Sequence, residues 1–436
     1  MSNVFPRVLD VDLPPVSRGE GAVVWDSQGR RYIDGAGGAI VVGVGHGRTS
    51  VVAAMSRQAE HIAYAHPTTF SSEVLETYAK ELAPLLPMDD PRIYPVSGGS
   101  EAVETAIKLA RAYHLARGDD SRHVVIGRQG SYHGNTLGAL DASGREPLRR
   151  PYEPWLGRFR HVPAAYEYRC GLPSHPDGCG AALADALDAA IREEGPENVA
   201  CFIAEPVGGA TLGAAVPSDD YWPAIRDVCT RHGVLLIADE VMTGFGRTGA
   251  WFGCDHWGLR PDILTAGKGV SSGYWPLGFA ACSAAVFETV RPAGFVHGFT
   301  YSHSGVGAAV ARSVLGILKS EHLVEASRDK GELLRKELST ALDGCHAVGD
   351  VRGLGLMVGV ELVRDRETRQ PFPRAERLTE RVVAAAKERG LLLYSSTGCA
   401  DGTDGDLIMF GPPFVITELQ ISEAVRIAAE AIGACG

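Results

Sequence analysis

The chain lacks any apolar run long enough to cross a bilayer. Its longest, around residues 279–287, is about half of the roughly 20 residues that such a span needs. Basic runs are also missing. With a net charge of −11 and no cluster of lysine or arginine, nothing is available to neutralise a phosphate backbone, which argues against nucleic acid as a partner. Residues 1–6 show no basic stretch followed by an apolar one, so no signal peptide is expected. The nine cysteines are scattered. Even the closest pair, Cys170 and Cys179, fits no zinc spacing, and the set reads as reduced thiols of a cytoplasmic protein without a metal site. There is no internal repeat and no low-complexity tract. Glycine, by contrast, is plentiful at 53 of 436 residues, which suits tight loops around a ligand. A chain of this length is expected to form two or three domains.

Between about 61 and 310 the pattern is α/β. Continuous apolar runs at 124–126, 200–204, 234–238 and 262–265 alternate with helical stretches. Runs without polar alternation indicate strands buried on both faces of a mostly parallel sheet. Residues 1–60 read as an N-terminal arm belonging to a small domain, with a hairpin at 23–34 turning at Gly29 and a glycine-punctuated loop at 35–45. From 311 to 436 the pattern becomes that of a smaller α+β domain: one long helical stretch over 314–342, strand-like residues around 356–360, and helices near 374–389 and 417–434. The polar segment 401–406 reads as a hairpin turn.

Mostly parallel sheets bind ligands beyond the carboxyl ends of their strands. Glu205, Asp239 and Lys268 all stand at or just past such ends. An acid ending one strand and a lysine between two glycines after the next meet the needs of a pyridoxal phosphate (PLP) enzyme. Lys268 can form a Schiff base with the cofactor aldehyde, and Asp239 can keep the pyridine nitrogen protonated. Ser97-Gly98-Gly99-Ser100 leads into an amphipathic helix, so Gly99 and Ser100 are candidates for the cofactor phosphate. Tyr132, on a strand-end loop, is able to stack on a flat ring, or else packs in the core. Val241 shares the strand face of Asp239 and is placed to cover the opposite side of that ring. His133 is either catalytic or a hydrogen-bonded core histidine. Glu205 either points into the site or forms a structural ion pair. Trp25, Tyr64, Phe70, Trp155 and Tyr166 are candidate pocket walls, and Arg145 and Arg169 either hold a carboxylate or sit at the surface.

The ordered run Ala238-Asp239-Glu240-Val241-Met242-Thr243-Gly244-Phe245-Gly246-Arg247-Thr248-Gly249, then Pro261-Asp262-Ile263, Ala266-Gly267-Lys268-Gly269 and Pro276-Leu277-Gly278, closely resembles the class III (omega) aminotransferases. The likeness extends to Tyr132-His133-Gly134, Glu205-Pro206-Val207 and Pro412-Pro413. It implies the PLP-dependent fold type I, the aspartate-aminotransferase architecture. It also implies amino-group transfer from an amine or omega-amino acid to a keto acid through a Lys268 Schiff base and pyridoxamine phosphate. In this resemblance Thr300 matches a threonine that reaches the phosphate of a neighbouring subunit, so a homodimer or a dimer of dimers is implied. Many members that use 2-oxoglutarate carry an arginine shortly before Pro-Pro. Here Leu407-Ile408-Met409-Phe410-Gly411 has none, which favours pyruvate. An aminomutase or a decarboxylating transaminase on the same cofactor, and a non-catalytic PLP-binding protein, are the alternatives.

Overall fold

Seven strands build the central sheet of the computed structural model, which describes residues 3–9, 11–172 and 178–436. In spatial order they are Arg92–Val96, Gly278–Cys282, Ile263–Ala266, Leu235–Asp239, Val199–Ala204, Val124–Arg128 and Arg160–Val162. Only Gly278–Cys282 runs against the others. The two faces divide by residue parity. Val125, Cys201, Ile203 and Ile237 belong to one apolar cluster with the helix Gly99–Ala116. Ile126, Phe202 and Leu236 belong to another, with the helices Gly180–Glu194 and Tyr221–His232. Both faces are thus covered, which is why these strands read as unbroken apolar runs. The expected α/β class is the observed one.

A second, antiparallel sheet orders Val348–Leu354, Met357–Leu362, Asp406–Phe410 and Tyr394–Thr397. The segment 401–406 is the hairpin turn joining the last two in space, with Asp401 Oδ1 accepting from the N–H groups of Thr403 (2.8 Å) and Asp404 (2.7 Å). The N-terminal hairpin, Val23–Asp26 with Arg31–Asp34, turns at Gly29 with φ +81°. Its second strand pairs in parallel with Leu391–Leu392, tying the first residues of the chain to its last third.

Two expectations need correction. The helical stretch over 314–342 is two helices, Gly305–Ser320 and Leu323–Ala341. His322 takes φ +51° between them, and the turn lets Leu318 and Leu323 bury in one cluster. The loop 35–45 is irregular, as expected: Gly37, Gly38 and Ile40 take φ +54°, +68° and +58°, and a side chain on Gly37 would strike the Gly411 carbonyl at 2.6 Å. Finally, Cys170 and Cys179 are disulfide-bonded rather than free; the other seven cysteines are free. Spacing conceals this pair because tertiary contacts bring it together: Glu167, in the turn before Cys170, accepts from the Cys179 N–H at 3.2 Å. Among the described residues no helix is long and apolar enough to cross a membrane.

Candidate active site

The carboxyl ends of three adjacent parallel strands bring Glu205, Asp239 and Lys268 together. Val199–Ala204 pairs with Leu235–Asp239, and Leu235–Asp239 with Ile263–Ala266, setting Asp239 opposite Thr265. Asp239 is 3% exposed, and both of its carboxylate oxygens have partners. Oδ1 accepts from the Val241 N–H and the Thr265 hydroxyl, each at 3.1 Å, and Oδ2 accepts from His133 Nδ1 at 2.6 Å. A buried carboxylate persists as an anion only with such partners. His133 is held in turn by its own N–H, which donates to Ser143 Oγ at 2.8 Å. Of the two readings of His133, the structure therefore shows a buried histidine bonded to the key acid.

Lys268 adopts φ +41°, in the left-handed region that non-glycine residues seldom enter. Its neighbours leave it little choice. A side chain on Gly267 would press on Val241 at 3.3 Å, and one on Gly269 would strike Phe245 at 2.9 Å. Burial pushes the Lys268 pKa down to about 8, against the opposing pull of the Asp239 and Glu205 charges. Just beyond, Ser272 Oγ accepts from the N–H groups of Gly43 (2.8 Å) and Val44 (3.1 Å), closing the N-terminal loop over this turn.

The helix Gly99–Ala116 begins directly after Arg92–Val96 and presents its N-terminus at the same end of the sheet. A side chain on Gly99 would meet Val241 Cγ1 at 2.8 Å, so only glycine allows this close approach. Ser100 Oγ accepts from the Asn135 N–H at 3.1 Å, which joins the helix start to the loop bearing Tyr132 and His133. Tyr132 is 38% exposed, and its N–H donates to Glu205 Oε1 at 3.2 Å. Glu205 Oε2 meets Arg128 Nη2 at 3.3 Å, so Glu205 fulfils both readings at once: a buried ion pair, and a charge felt by Lys268. Thr300 lies exposed on a loop whose His297 Nε2 meets Thr105 Oγ1 at 2.9 Å, and it makes no hydrogen bond to the other residues of the site within this chain.

The remaining candidates scatter. Tyr166 is buried, bonded to Glu361 and Arg352, and lines a cavity together with Arg145 and Arg169. Arg169 is locked to Glu361 at 2.5 Å. Phe70 and Trp155 are 66% and 68% exposed, the latter stacked on Tyr152, and Trp25 lies under the guanidinium of Arg18. Sequence reasoning missed Arg128, Thr265 and Arg247. The first two stand at or near strand ends, a position that signals a role near the site. Arg247 is buried, donates to the carbonyls of Leu356 and Pro412 at 2.8 Å each, and has its pKa lowered to about 9 by burial.

These residues fit a flat ring with an anionic arm. The helix start offers backbone N–H groups to an anion, Val241 packs against that start, Tyr132 supplies an aromatic face, Asp239 offers a fixed carboxylate, and Lys268 a desolvated amine. PLP has all the complementary features.

The family model of class III aminotransferases matches residues 8–432. The chain is 37% identical over 423 residues to an uncharacterized aminotransferase, YodT, of Bacillus subtilis (strain 168), covering 97% of this chain and 95% of that protein. It is 35% identical over 425 residues to the putrescine–pyruvate aminotransferase of Pseudomonas aeruginosa (strain PAO1), covering 95% and 89%. Among solved structures, a thermostable (S)-enantioselective omega-transaminase from Thermomicrobium roseum superposes with a TM-score of 0.92 at 37% identity over 100% of this chain and 96% of that one. The omega-transaminase of Pseudomonas jessenii in complex with PMP gives 0.92 at 31% identity, with the same coverage. The chain belongs to the class III aminotransferases, PLP-dependent enzymes of fold type I.

Proposed function

We propose that this enzyme moves an amino group from an amine or omega-amino acid to a keto acid, with pyruvate favoured over 2-oxoglutarate. The observation that carries the reading is the meeting of Lys268, Asp239 and the glycine-led helix start at one end of the central sheet. Bound there, PLP supplies the aldehyde that receives the amino group and a protonated ring that accepts electrons from the breaking bond.

The protein's own groups do the rest. Gly99 and Ser100 hold the phosphate at the helix N-terminus. Tyr132 and Val241 would flank the ring, and Asp239 would face its nitrogen, oriented by Thr265, Val241 and His133. Lys268 anchors the cofactor covalently. Its amine would also serve as the base that moves a proton at the substrate carbon, work suited to a pKa near 8. Glu205 fixes the Tyr132 loop through the Tyr132 N–H. The absence of arginine from Asp406–Phe410, together with the pyruvate in the name of the Pseudomonas aeruginosa relative, supports the acceptor preference. Exposed Phe70, Val296 and Tyr301 support a homodimer in which Thr300 reaches the neighbouring phosphate. Light scattering tests that assembly: a monomer at micromolar concentration would refute it. Lys268→Ala tests the site. It is expected to lose the visible absorption of lysine-bound cofactor and nearly all turnover; a normal spectrum and rate would end the reading.

A further inference from the structure

A keto-acid acceptor brings a carboxylate, and a carboxylate bound away from water needs a cationic partner. The strand Asp406–Phe410 provides none. Most arginines around the site are already committed. Arg128 is paired with Glu205, Arg169 and Arg352 with Glu361, and Arg247 with backbone carbonyls. Arg145 differs from these. Among the described residues its guanidinium faces no carboxylate within ion-pair distance. Among the described residues its one hydrogen bond runs from Nη2 to Ser396 Oγ at 3.1 Å; its Nε is buried without a partner, as are Nη2 of Arg169 and Nε of Arg352, so the missing carboxylate is what sets it apart.

The position of Arg145 is fixed against the loop that carries Tyr132. The Gly130 N–H donates to the Gly144 carbonyl at 3.0 Å, and the Gly144 N–H donates to the Ser131 carbonyl at 3.1 Å. The His133 N–H donates to Ser143 Oγ. A side chain on Gly144 would strike the Arg128 carbonyl at 2.1 Å, so the two segments lie in direct backbone contact. On its other side Arg145 reaches the strand Tyr394–Thr397, whose Tyr394 pairs with Met409 in the strand that lacks the arginine. Burial raises the Tyr132 phenol against the pull of the Arg145 charge, and burial lowers the Arg145 pKa against the pull of the Tyr394 and Tyr132 phenols.

We infer that Arg145 is the residue that binds the substrate carboxylate, taking it between Tyr132 and Tyr394. This rests on the transamination reading and assigns its acceptor a specificity-determining contact. A half-buried guanidinium with unfilled donors has already lost part of its hydration, so a carboxylate arriving there gains two charge-assisted hydrogen bonds at little further cost. Arg7 is the rival. It is exposed, and its charge also reaches Tyr132, but nothing described holds it in place.

The test uses PLP-loaded enzyme as wild type, Arg145→Ala, Arg145→Lys and Arg7→Ala. Propionate, an unreactive carboxylate, is titrated calorimetrically, and pyruvate kinetics are measured in parallel. Arg145→Ala is expected to weaken propionate binding and raise the KM for pyruvate by about tenfold or more while keeping the cofactor's visible band. Arg145→Lys recovers only part of the loss, because an ammonium cannot fork onto a carboxylate. Arg7→Ala matches wild type. Unchanged propionate affinity and pyruvate KM in both Arg145 variants, no propionate binding by wild type, or a loss confined to Arg7→Ala would each overturn the assignment. Failure of wild type to exchange amino groups at all would refute transamination instead, and the propionate titration would still report on Arg145.

Discussion

At about pH 7.5 an ordinary lysine, with a pKa of 10.5, is neutral in roughly one molecule in a thousand. With its pKa lowered to about 8, Lys268 is neutral in about one in four. The neutral amine is the form that attacks an aldehyde, so apoprotein is expected to capture PLP about 240 times faster at that pH than a surface lysine of equal reactivity would. The difference between 10.5 and about 8 corresponds to about 3 kcal/mol against the charged form. The sign follows from linkage. Below about pH 8 the fold must hold a desolvated ammonium; between 8 and 10.5 only the unfolded chain keeps the proton, so this group makes the apoprotein more stable as pH rises through that window. Asp239→Asn sharpens the test. Asp239 pulls the Lys268 pKa up, so its removal moves the midpoint of PLP capture below about pH 8, while turnover falls about a hundredfold or more because the ring nitrogen loses its anion. Stopped-flow absorbance of PLP capture against pH reads the midpoint, and steady-state rates read turnover. A midpoint near 10.5, or one that rises in Asp239→Asn, would refute the reasoning.

Two further predictions follow from contact geometry. Gly99→Ala places a methyl 2.8 Å from Val241 Cγ1, against a stiff β-branched side chain, and is expected to weaken PLP affinity by about 5- to 100-fold with the fold retained; equilibrium dialysis showing wild-type affinity would contradict it. Glu361→Gln removes the charge facing Arg169 at 2.5 Å and Arg352 at 2.9 Å, leaving the Arg169 guanidinium without a carboxylate and Arg352 with Asp350 alone, at 2.8 Å. It is expected to cost about 3–5 kcal/mol in urea unfolding at fixed protein concentration, and a loss under about 1 kcal/mol would show that the network carries little.

Much of this was legible in the residues, for identifiable reasons. Strands covered on both faces leave uninterrupted apolar runs, so the sheet and the ends of its strands could be placed, and with them Glu205, Asp239 and Lys268. His133 proved harder, because its bond to Asp239 joins residues 106 apart, a pairing that only the register of parallel strands creates. The same limit hid the partners of Arg169, which depend on how the turn Glu167–Arg169 packs against Glu361, 192 residues away. The break at His322 escaped because apolar periodicity continues through it; a histidine at φ +51° carries no glycine to announce the turn. Arg145 was visible as a candidate, but its lack of a carboxylate partner became apparent only once the other arginines had found theirs.

The central claim is amino-group transfer through Lys268, and the half-reactions test it most directly. Purified PLP-loaded protein is mixed with single amino donors while the visible cofactor band is followed, and pyruvate or 2-oxoglutarate is then added separately. The account predicts that a donor bleaches the band and that pyruvate restores it better than 2-oxoglutarate does. A band that no amine or omega-amino acid bleaches would contradict the account.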